Sequence, residues 1–150
     1  LAAADGRRFD APLRAIVSSL AIHHLDDAAK RRLLADLFAA LAPGGVFVLA
    51  DVIRPTTAVG HHLAAEMWDA EVARRAVTLD GNHDGLAAFR RADWNHFRHE
   101  TPDPIDKPST VVDLLRWLED AGFADVDLHW MLAGHVLLSG WRPCSPSQPR

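Results

Sequence analysis

The sequence predicts an α/β domain whose sheet begins with parallel strands and closes in an antiparallel hairpin. Three observations predict this class. An apolar run ends at Leu20 in a polar loop before a helical segment, a second apolar run follows Gly44-Gly45, and a segment with period-two alternation starts at Ala124. Of the 150 residues, 49% are hydrophobic, which is enough for the core of one domain.

The first predicted element is a strand from about Arg14 to Leu20. The strand is followed by a loop that leads to Asp26-Asp27. The end of the strand and this loop contain two serines, a short apolar stretch and the adjacent histidines His23-His24. Either aspartate can accept hydrogen bonds from the free amides of a helix first turn. Because ligands of open α/β sheets bind at loops beyond the carboxyl ends of strands, Ser18 to His24 is the first candidate site.

The next elements complete a strand, helix, strand unit. Leucines and Phe38 recur at helical spacing from Leu33 to Leu41. The helix is expected to end in Ala42-Pro43-Gly44-Gly45, since proline cannot continue the hydrogen-bond ladder and glycine can adopt the left-handed conformation. The continuous apolar run Val46 to Ala50 then predicts a strand buried on both faces, as in a parallel sheet. Such units are right-handed crossovers.

The middle of the chain predicts a helical cap, about residues 58–100, inserted between two strands of the sheet. One helical pattern runs from about 56 to 77 and a second from about 86 to 99. A proline-rich linker over 101–108 follows them. No strand pattern occurs in this region.

The last third of the chain predicts a helix and a hairpin. Thr110 followed by Asp113 resembles a capping box, and Gly122 ends the helix. The alternation from Ala124 to Trp130 predicts a half-buried strand, and the run from Val136 to Trp141 predicts another. The loop between them is short enough only for an antiparallel hairpin.

Charge and cysteine content narrow the classes of function. The net charge of −4 and the scattered arginines give no strong nucleic-acid signal. No stretch is long enough to span a membrane and no signal peptide is visible, so no membrane partner is expected. Cys144, the only cysteine, excludes an internal disulfide and fits a cytoplasmic location. The tail 144–150 is predicted to be disordered.

Three motifs, in this order, resemble the carboxyl-terminal half of class I S-adenosylmethionine-dependent methyltransferases. They are Ile16-Val17-Ser18-Ser19-Leu20-Ala21-Ile22-His23-His24-Leu25, Leu41-Ala42-Pro43-Gly44-Gly45 and Ala121-Gly122-Phe123-Ala124-Asp125-Val126. The resemblance covers nearly all of residues 9–143 and places one domain at 1–143. It implies a partial Rossmann-like sheet with strands equivalent to 4-5-7-6, the last strand antiparallel, and a helical insertion.

The resemblance also implies a cofactor and a site for it. S-adenosylmethionine would lie against the loop after the first strand, on Ser18, Ser19, Leu20 and Ala21. His24 would stand beside the sulfonium and Asp51 would face the acceptor, which makes these two the predicted catalytic residues. Methyl transfer mainly needs positioning and the exclusion of water, so no metal or nucleophilic triad is implied.

His23, Trp68 and Trp94 are predicted to contact the acceptor, which is a small molecule or a modified nucleoside. Aromatic residues at helical spacing more often belong to a core, so only some aromatic residues of the cap should contact the acceptor. No metal site is predicted. Adjacent residues on a loop rarely present both rings to one ion, and Asp26 is better used as a helix cap.

The sequence departs from the family pattern at its start. No glycine-rich loop precedes Ser18, and Leu1 comes just before the strand that resembles the fourth. We therefore expect a truncated domain that is inactive by itself. Loss of the neighbouring strands would leave the strand over 15–20 as an exposed apolar edge, through which the chain is expected to self-associate.

Two other functions stay open. The chain could be a non-catalytic module that pairs with a partner through that edge. Gly81-Asn82-His83-Asp84 matches part of a metal-dependent phosphoesterase motif, but its companion motifs are missing and a turn between two helices is the simpler interpretation. His24 could also bond to the loop backbone, and Asp51 could cap the following turn.

Overall fold

The computed structural model describes residues 11–99 and 104–144, which include a four-stranded mixed sheet. The strands are β1 (Leu13–Ser19), β2 (Leu41–Val52), β3 (Ala124–Leu132) and β4 (His135–Trp141), in the spatial order β1-β2-β4-β3. β1 runs parallel to β2, whereas β4 runs antiparallel to both β2 and β3. This confirms the predicted α/β class, the strand order and the antiparallel hairpin.

Within residues 11–99 and 104–144, four helices connect and cover the strands. They are α1 (Asp27–Ala40), α2 (Ala58–Asp80), α3 (Asp84–Arg91) and α4 (Val111–Asp120), with short 3-10 turns at Ile22–His24 and His96–Arg98.

Polar side chains at the helix starts confirm the predicted caps. Asp26 accepts a hydrogen bond from the Ala29 amide at 2.8 Å at the start of α1. The Thr110 hydroxyl accepts from the Asp113 amide at 3.1 Å and donates to the Asp113 carboxylate at 2.6 Å. The sequence therefore encodes the first turns of these helices locally.

Two boundaries differ from the prediction. β2 begins at Leu41 rather than Val46, because Leu41 pairs with Leu13 across a bulge before regular pairing resumes. The second helix of the cap ends at Arg91 instead of continuing to residue 99. Asp93 has a φ of 53°, which interrupts the helix before the 3-10 turn at His96–Arg98.

The main core lies between one face of the sheet and the helices α1 and α4. Phe47 and Leu49 of β2 and Leu138 of β4 contribute to this face, and each is almost fully buried. The residues packed on them come from the two helices: Leu33, Leu34, Leu37, Leu114, Trp117 and Leu118. We call this side of the sheet the covered face.

The opposite side, the open face, is less protected by the described residues. Val46, Val48 and Ala50 of β2 are only half-buried, so the prediction of a strand buried on both faces is wrong for the described structure. The helix α2 reaches the open face near the carboxyl ends of β1 and β2, where Trp68 lines a cavity with Ala50. The cap therefore covers one end of this face.

Several predictions fall wholly or partly outside the described residues. These are the start of the domain and its truncation at 1–10, the end of the cap at residue 100, part of the linker at 101–103, and the disorder of the tail at 145–150. Cys144 is described and is exposed. Among the described helices, none is both long and apolar enough to cross a lipid bilayer.

Candidate functional site

Asp51 joins the end of β2 to the loop between β1 and α1. Its side chain is 3% exposed. Oδ2 accepts hydrogen bonds from the amides of Ile22 at 3.0 Å and His23 at 3.1 Å, and Oδ1 accepts from the Val52 amide at 2.9 Å. A buried carboxylate requires such donors. Asp51 therefore determines the path of the candidate loop.

His23 forms a buried pair with Asp51. The ring Nδ1 lies 2.5 Å from Asp51 Oδ1, and His23 is buried. The hydrogen bond to Asp51 raises the pKa of His23 above its ordinary value, although burial alone would lower it. Because Nδ1–H donates to the carboxylate, the neutral ring carries its lone pair on Nε2.

A second carboxylate faces this pair from the linker before α4. Asp106 Oδ1 lies 3.5 Å from His23 Nε2 and 2.8 Å from His24 Nδ1. The Lys107 amide donates to the His23 carbonyl at 2.8 Å, which attaches the linker to the loop. His23, His24 and Asp106 thus form one cluster, which we call the His-Asp cluster.

The serines of the predicted cofactor loop point to opposite sides of the sheet. Successive strand residues alternate in direction. Ser18 is paired with Leu49 on the covered face, and Ser19 is paired with Ala50 on the open face. Ala21 is half-buried and directly precedes the 3-10 turn.

Ser19 and Leu20 line a cavity of about 360 Å³ between the carboxyl ends of the strands and α2. Leu20 has a φ of 49°, and its amide donates to the Ala50 carbonyl at 2.9 Å. The cavity is also lined by Asp51, Trp68, Glu71, Arg75, Trp130 and His135. Its volume lies within the range of about 300–1,000 Å³ that is common for small-molecule sites.

The two tryptophans predicted to contact the acceptor lie in different surroundings. Trp68 lines the cavity and packs edge-on against His96 and His135, with ring centroids 5.0 and 4.8 Å apart. Trp94 is 68% exposed, packs against Phe89, and does not line this cavity. The structure therefore brings Trp68, but not Trp94, to the cavity.

His96 is a half-buried histidine that packs against Trp68 at the cavity. Within the described part of the chain, its Nε2 has no hydrogen-bond partner. Burial lowers its pKa to about 4, despite the opposing effect of Asp106. The ring is therefore neutral at pH 7.

The predicted site residues are thus partly assembled. Ser19, Leu20, Asp51 and Trp68 line one cavity, and His23 is bonded to Asp51. His24 is half-exposed and pairs with Asp106 instead. Sequence reasoning missed Asp106 and His135. Asp106 lies in a linker with no periodic pattern, and His135 follows a hairpin turn, so neither position carries a local signal.

The segment Gly81-Asn82-His83-Asp84 is a turn between α2 and α3, as predicted. Gly81 ends α2 in the left-handed conformation, and Asn82 Oδ1 accepts from the Asp84 amide at 2.8 Å. All four residues are exposed. The turn gives no support to a phosphoesterase.

Solved structures share this fold. The chain is similar to the S-adenosylmethionine-dependent methyltransferase SibL in its apo form, with a TM-score of 0.51 and 18% identity, over 88% of this chain and 32% of that one. It is similar to an O-methyltransferase family protein from Burkholderia thailandensis, with a TM-score of 0.54 and 12% identity, over 91% and 32%. A third is an O-methyltransferase family 2 protein from Planctomyces limnophilus in complex with apigenin, with a TM-score of 0.50 and 17% identity, over 87% and 30%.

These likenesses show that the chain has the Rossmann-like fold of S-adenosylmethionine-dependent methyltransferases, and they confirm the resemblance at the level of fold. The chain spans about a third of the length of these structures. No protein-family model and no curated protein matches the sequence. A shared fold does not by itself define the activity, acceptor or partners of a protein.

Proposed function

We propose that the whole protein transfers a methyl group from S-adenosylmethionine to a hydroxyl oxygen of a small molecule in the cytoplasm. The buried pair of His23 and Asp51, at the carboxyl ends of β1 and β2, is the observation that carries the proposal. Ligands of open α/β sheets bind at this edge. Two structural neighbours are O-methyltransferase family proteins, which supports oxygen as the acceptor atom.

The residues at the cavity fit part of such a cofactor. Ser18, Ser19, Leu20 and Ala21 would hold it, as the resemblance implies, and Ser19 and Leu20 line the cavity. S-adenosylmethionine supplies an activated methyl group when bound. His24 would border the sulfonium, and Trp68 would border the acceptor. Trp94 would contact the acceptor only if the acceptor extends to the exposed surface.

His23 would act as the general base of this proposal. Its Nε2 would accept the proton of the acceptor hydroxyl as that oxygen takes the methyl group that bound S-adenosylmethionine would supply. Asp51 positions the ring by accepting from Nδ1 and stabilises the positive charge that the ring gains. Apart from this proton transfer, the site would only have to hold the acceptor hydroxyl close to the methyl group and exclude water.

Cofactor binding is tested by titrating the chain with S-adenosylmethionine and recording amide NMR shifts, with EDTA present. We expect binding no tighter than about millimolar, because the glycine-rich loop of the family does not precede Ser18. The shifts should concentrate at residues 18–24. Ser19→Trp should abolish them by filling the cavity, whereas Thr78→Trp on the exposed side of α2 should not. Shifts elsewhere, or none at 10 mM (roughly tenfold above the expected constant), contradict the proposal.

Catalysis is tested with the natural full-length gene product, whether that is this chain or a longer one. Methyl transfer from methyl-labelled S-adenosylmethionine is measured with hydroxylated acceptors, apigenin among them. His23→Gln should lower kcat by about 10²- to 10⁴-fold, whereas the exposed His83→Gln should leave it unchanged. Equal activities of wild type and His23→Gln would remove the general base from the proposal.

A second candidate is a module that associates with a second copy through β1. Among the described strands, β1 pairs only with β2, and Val17 is 70% exposed. Unpaired apolar edges favour pairing between chains. Light scattering should then show oligomers. A monodisperse monomer with full amide protection at Ile16 and Val17 would refute this candidate.

A further inference from the structure

The ring nitrogens of two adjacent histidines converge on one carboxylate oxygen. His23 offers Nε2, His24 offers Nδ1, and both face Asp106 Oδ1, at 3.5 and 2.8 Å. All three atoms lie within 4.8 Å of one another. A metal site was not predicted here because the rings of adjacent loop residues usually diverge. In the 3-10 turn they do not, because each ring presents a different nitrogen.

The surroundings of His23 have the arrangement that metal-binding histidines require. Such a histidine usually donates its other ring N–H to a carboxylate, which sets its tautomer and its orientation. His23 Nδ1 meets Asp51 Oδ1 at 2.5 Å, which leaves Nε2 to face Asp106. The ligand nitrogen is thus pre-oriented by a buried group that does not itself belong to the His-Asp cluster.

The linker that carries Asp106 is also held in place. Lys30 of α1 is 1% exposed, and its Nζ donates to the Lys107 carbonyl and, at 2.7 Å, to Ser109 Oγ. A second hydrogen bond, from the Lys107 amide to the His23 carbonyl, also holds the linker. The carboxylate of Asp106 is therefore followed directly by a segment that is anchored at Lys107 and Ser109.

We propose that His23, His24 and Asp106 bind a divalent zinc ion. Two imidazole nitrogens and one carboxylate oxygen suit zinc better than calcium or magnesium, which prefer oxygen ligands. Ligand atoms about 2.0–2.1 Å from a tetrahedral zinc lie roughly 3.3 Å from one another, close to the two distances observed. Three protein ligands leave the fourth position open to water or a small molecule.

Zinc at this site would occupy His23 Nε2, the atom that the methyl-transfer proposal assigns to proton acceptance. The ion and the general base are therefore mutually exclusive states of one histidine. Zinc binding does not depend on methyl transfer, and the NMR titration above contains EDTA, so each proposal can fail without the other.

The test uses Co²⁺ alone as a spectroscopic substitute for zinc, titrated into the chain and then displaced by Zn²⁺. Wild type should show the intense visible absorption of tetrahedral Co²⁺ and lose it on addition of zinc. Asp106→Asn and His24→Asn should weaken binding at least about tenfold, because each removes a ligand, and Asp51→Asn should weaken it by about 10- to 100-fold. His83→Gln, an exposed histidine outside the cluster, should bind like wild type.

Folding is checked by circular dichroism in EDTA before each titration. His24 is half-exposed and Asp106 lies in a loop, so these two variants are the ones expected to keep the fold. A wild type without tetrahedral absorption overturns the proposal. So does equal affinity in wild type, His24→Asn and Asp106→Asn. If one variant unfolds, the other decides the outcome.

Discussion

The two faces of the sheet differ in how firmly they are packed. On the covered face, Phe47 is fully buried beneath α1 and α4. On the open face, Val17 is 70% exposed and Trp130 is 47% exposed, and the described residues of the cap meet this face at its carboxyl end. The central strand β2 is apolar on both faces, from Val46 to Ala50. An apolar strand pattern therefore predicts which residues can be buried, but it does not predict which face of the sheet is actually covered.

The same contrast appears at the end of β2, where the candidate site lies. Asp51 belongs to the covered face and accepts three backbone amides as well as the His23 ring. The cavity belongs to the open face, where Ser19 and Trp130 line it. The site therefore has a firmly bonded side and an accessible side.

The largest expected effect is on the covered face. Phe47→Ala should lower the free energy of unfolding by roughly 4 kcal/mol, because it leaves a cavity in close-packed surroundings. Val48→Ala, the neighbouring residue on the open face, should lower it by roughly 1 kcal/mol because Val48 is only half-buried. Urea denaturation of both variants measures the difference. Equal losses would mean that the open face is covered in solution.

Asp51→Ala tests the polar end of the covered face. The substitution leaves the Ile22 and His23 amides and the His23 ring without their acceptor, so we expect a loss of roughly 3 kcal/mol. Asp26→Ala removes an exposed helix cap and serves as the control, with a loss of about 1 kcal/mol. Denaturation in EDTA compares them. A loss for Asp51→Ala no greater than that of the cap would show that the buried pair does not hold the loop.

His96 tests the cap over the open face through pH. Its folded pKa is about 4, below the ordinary value of 6.5, because burial disfavours its charge. Between these values the unfolded chain binds a proton that the folded chain does not. Stability is therefore lost as pH falls from 6.5 to 4, by roughly 3 kcal/mol in total, and the loss is complete below 4.

The charged and titratable groups that act on His96 are Asp106, His135, His99 and His23. His23 works in the opposite direction, because its raised folded pKa adds stability below 6.5 that is lost as pH rises through that pKa. The free energy of unfolding is measured against pH for wild type and for His96→Gln, in EDTA, from pH 4 to 6.5. The difference between the two curves is the contribution of His96. The exposed His83→Gln is the control. An unchanged slope in His96→Gln would show that His96 is solvated in the folded chain.

The smallest effect on stability is expected at the edge of the open face. Val17→Lys should change the free energy of unfolding by no more than about 0.5 kcal/mol, because the side chain is already exposed. It should nevertheless reduce self-association in light scattering, since a charged edge strand resists pairing. Leu79→Lys, an exposed position on α2, should leave association unchanged. Equal association in both variants would place the contact elsewhere.

Local signals predicted most of the elements. Asp26 and Thr110 cap helices because a side-chain oxygen reaches an amide three residues away, which depends only on local sequence. The alternation from Ala124 identifies β3 for a similar reason. The end of α3 was missed because the left-handed conformation of Asp93 has no residue type that demands it, as glycine would.

The candidate site was only partly predictable. The loop from Ser18 to His24 was identified because it follows the carboxyl end of a strand. Asp51 at the end of β2 was implied by the resemblance to methyltransferases. Which histidine pairs with Asp51 depends on the 3-10 turn at Ile22–His24, which buries His23 and exposes His24. The position of Asp106 beside both histidines depends on the path of the linker, and the linker sequence has no periodic pattern from which that path could be predicted.

The sequence by itself determined the order of strands and helices, their caps and the class of fold, because hydrophobic periodicity and capping act between residues a few positions apart. The tertiary structure decided which apolar face of the sheet is packed, which histidine is bonded to Asp51, and that Asp106 meets both histidines. These depend on contacts between segments far apart in the chain, where loop paths and competition for buried hydrogen bonds select one arrangement.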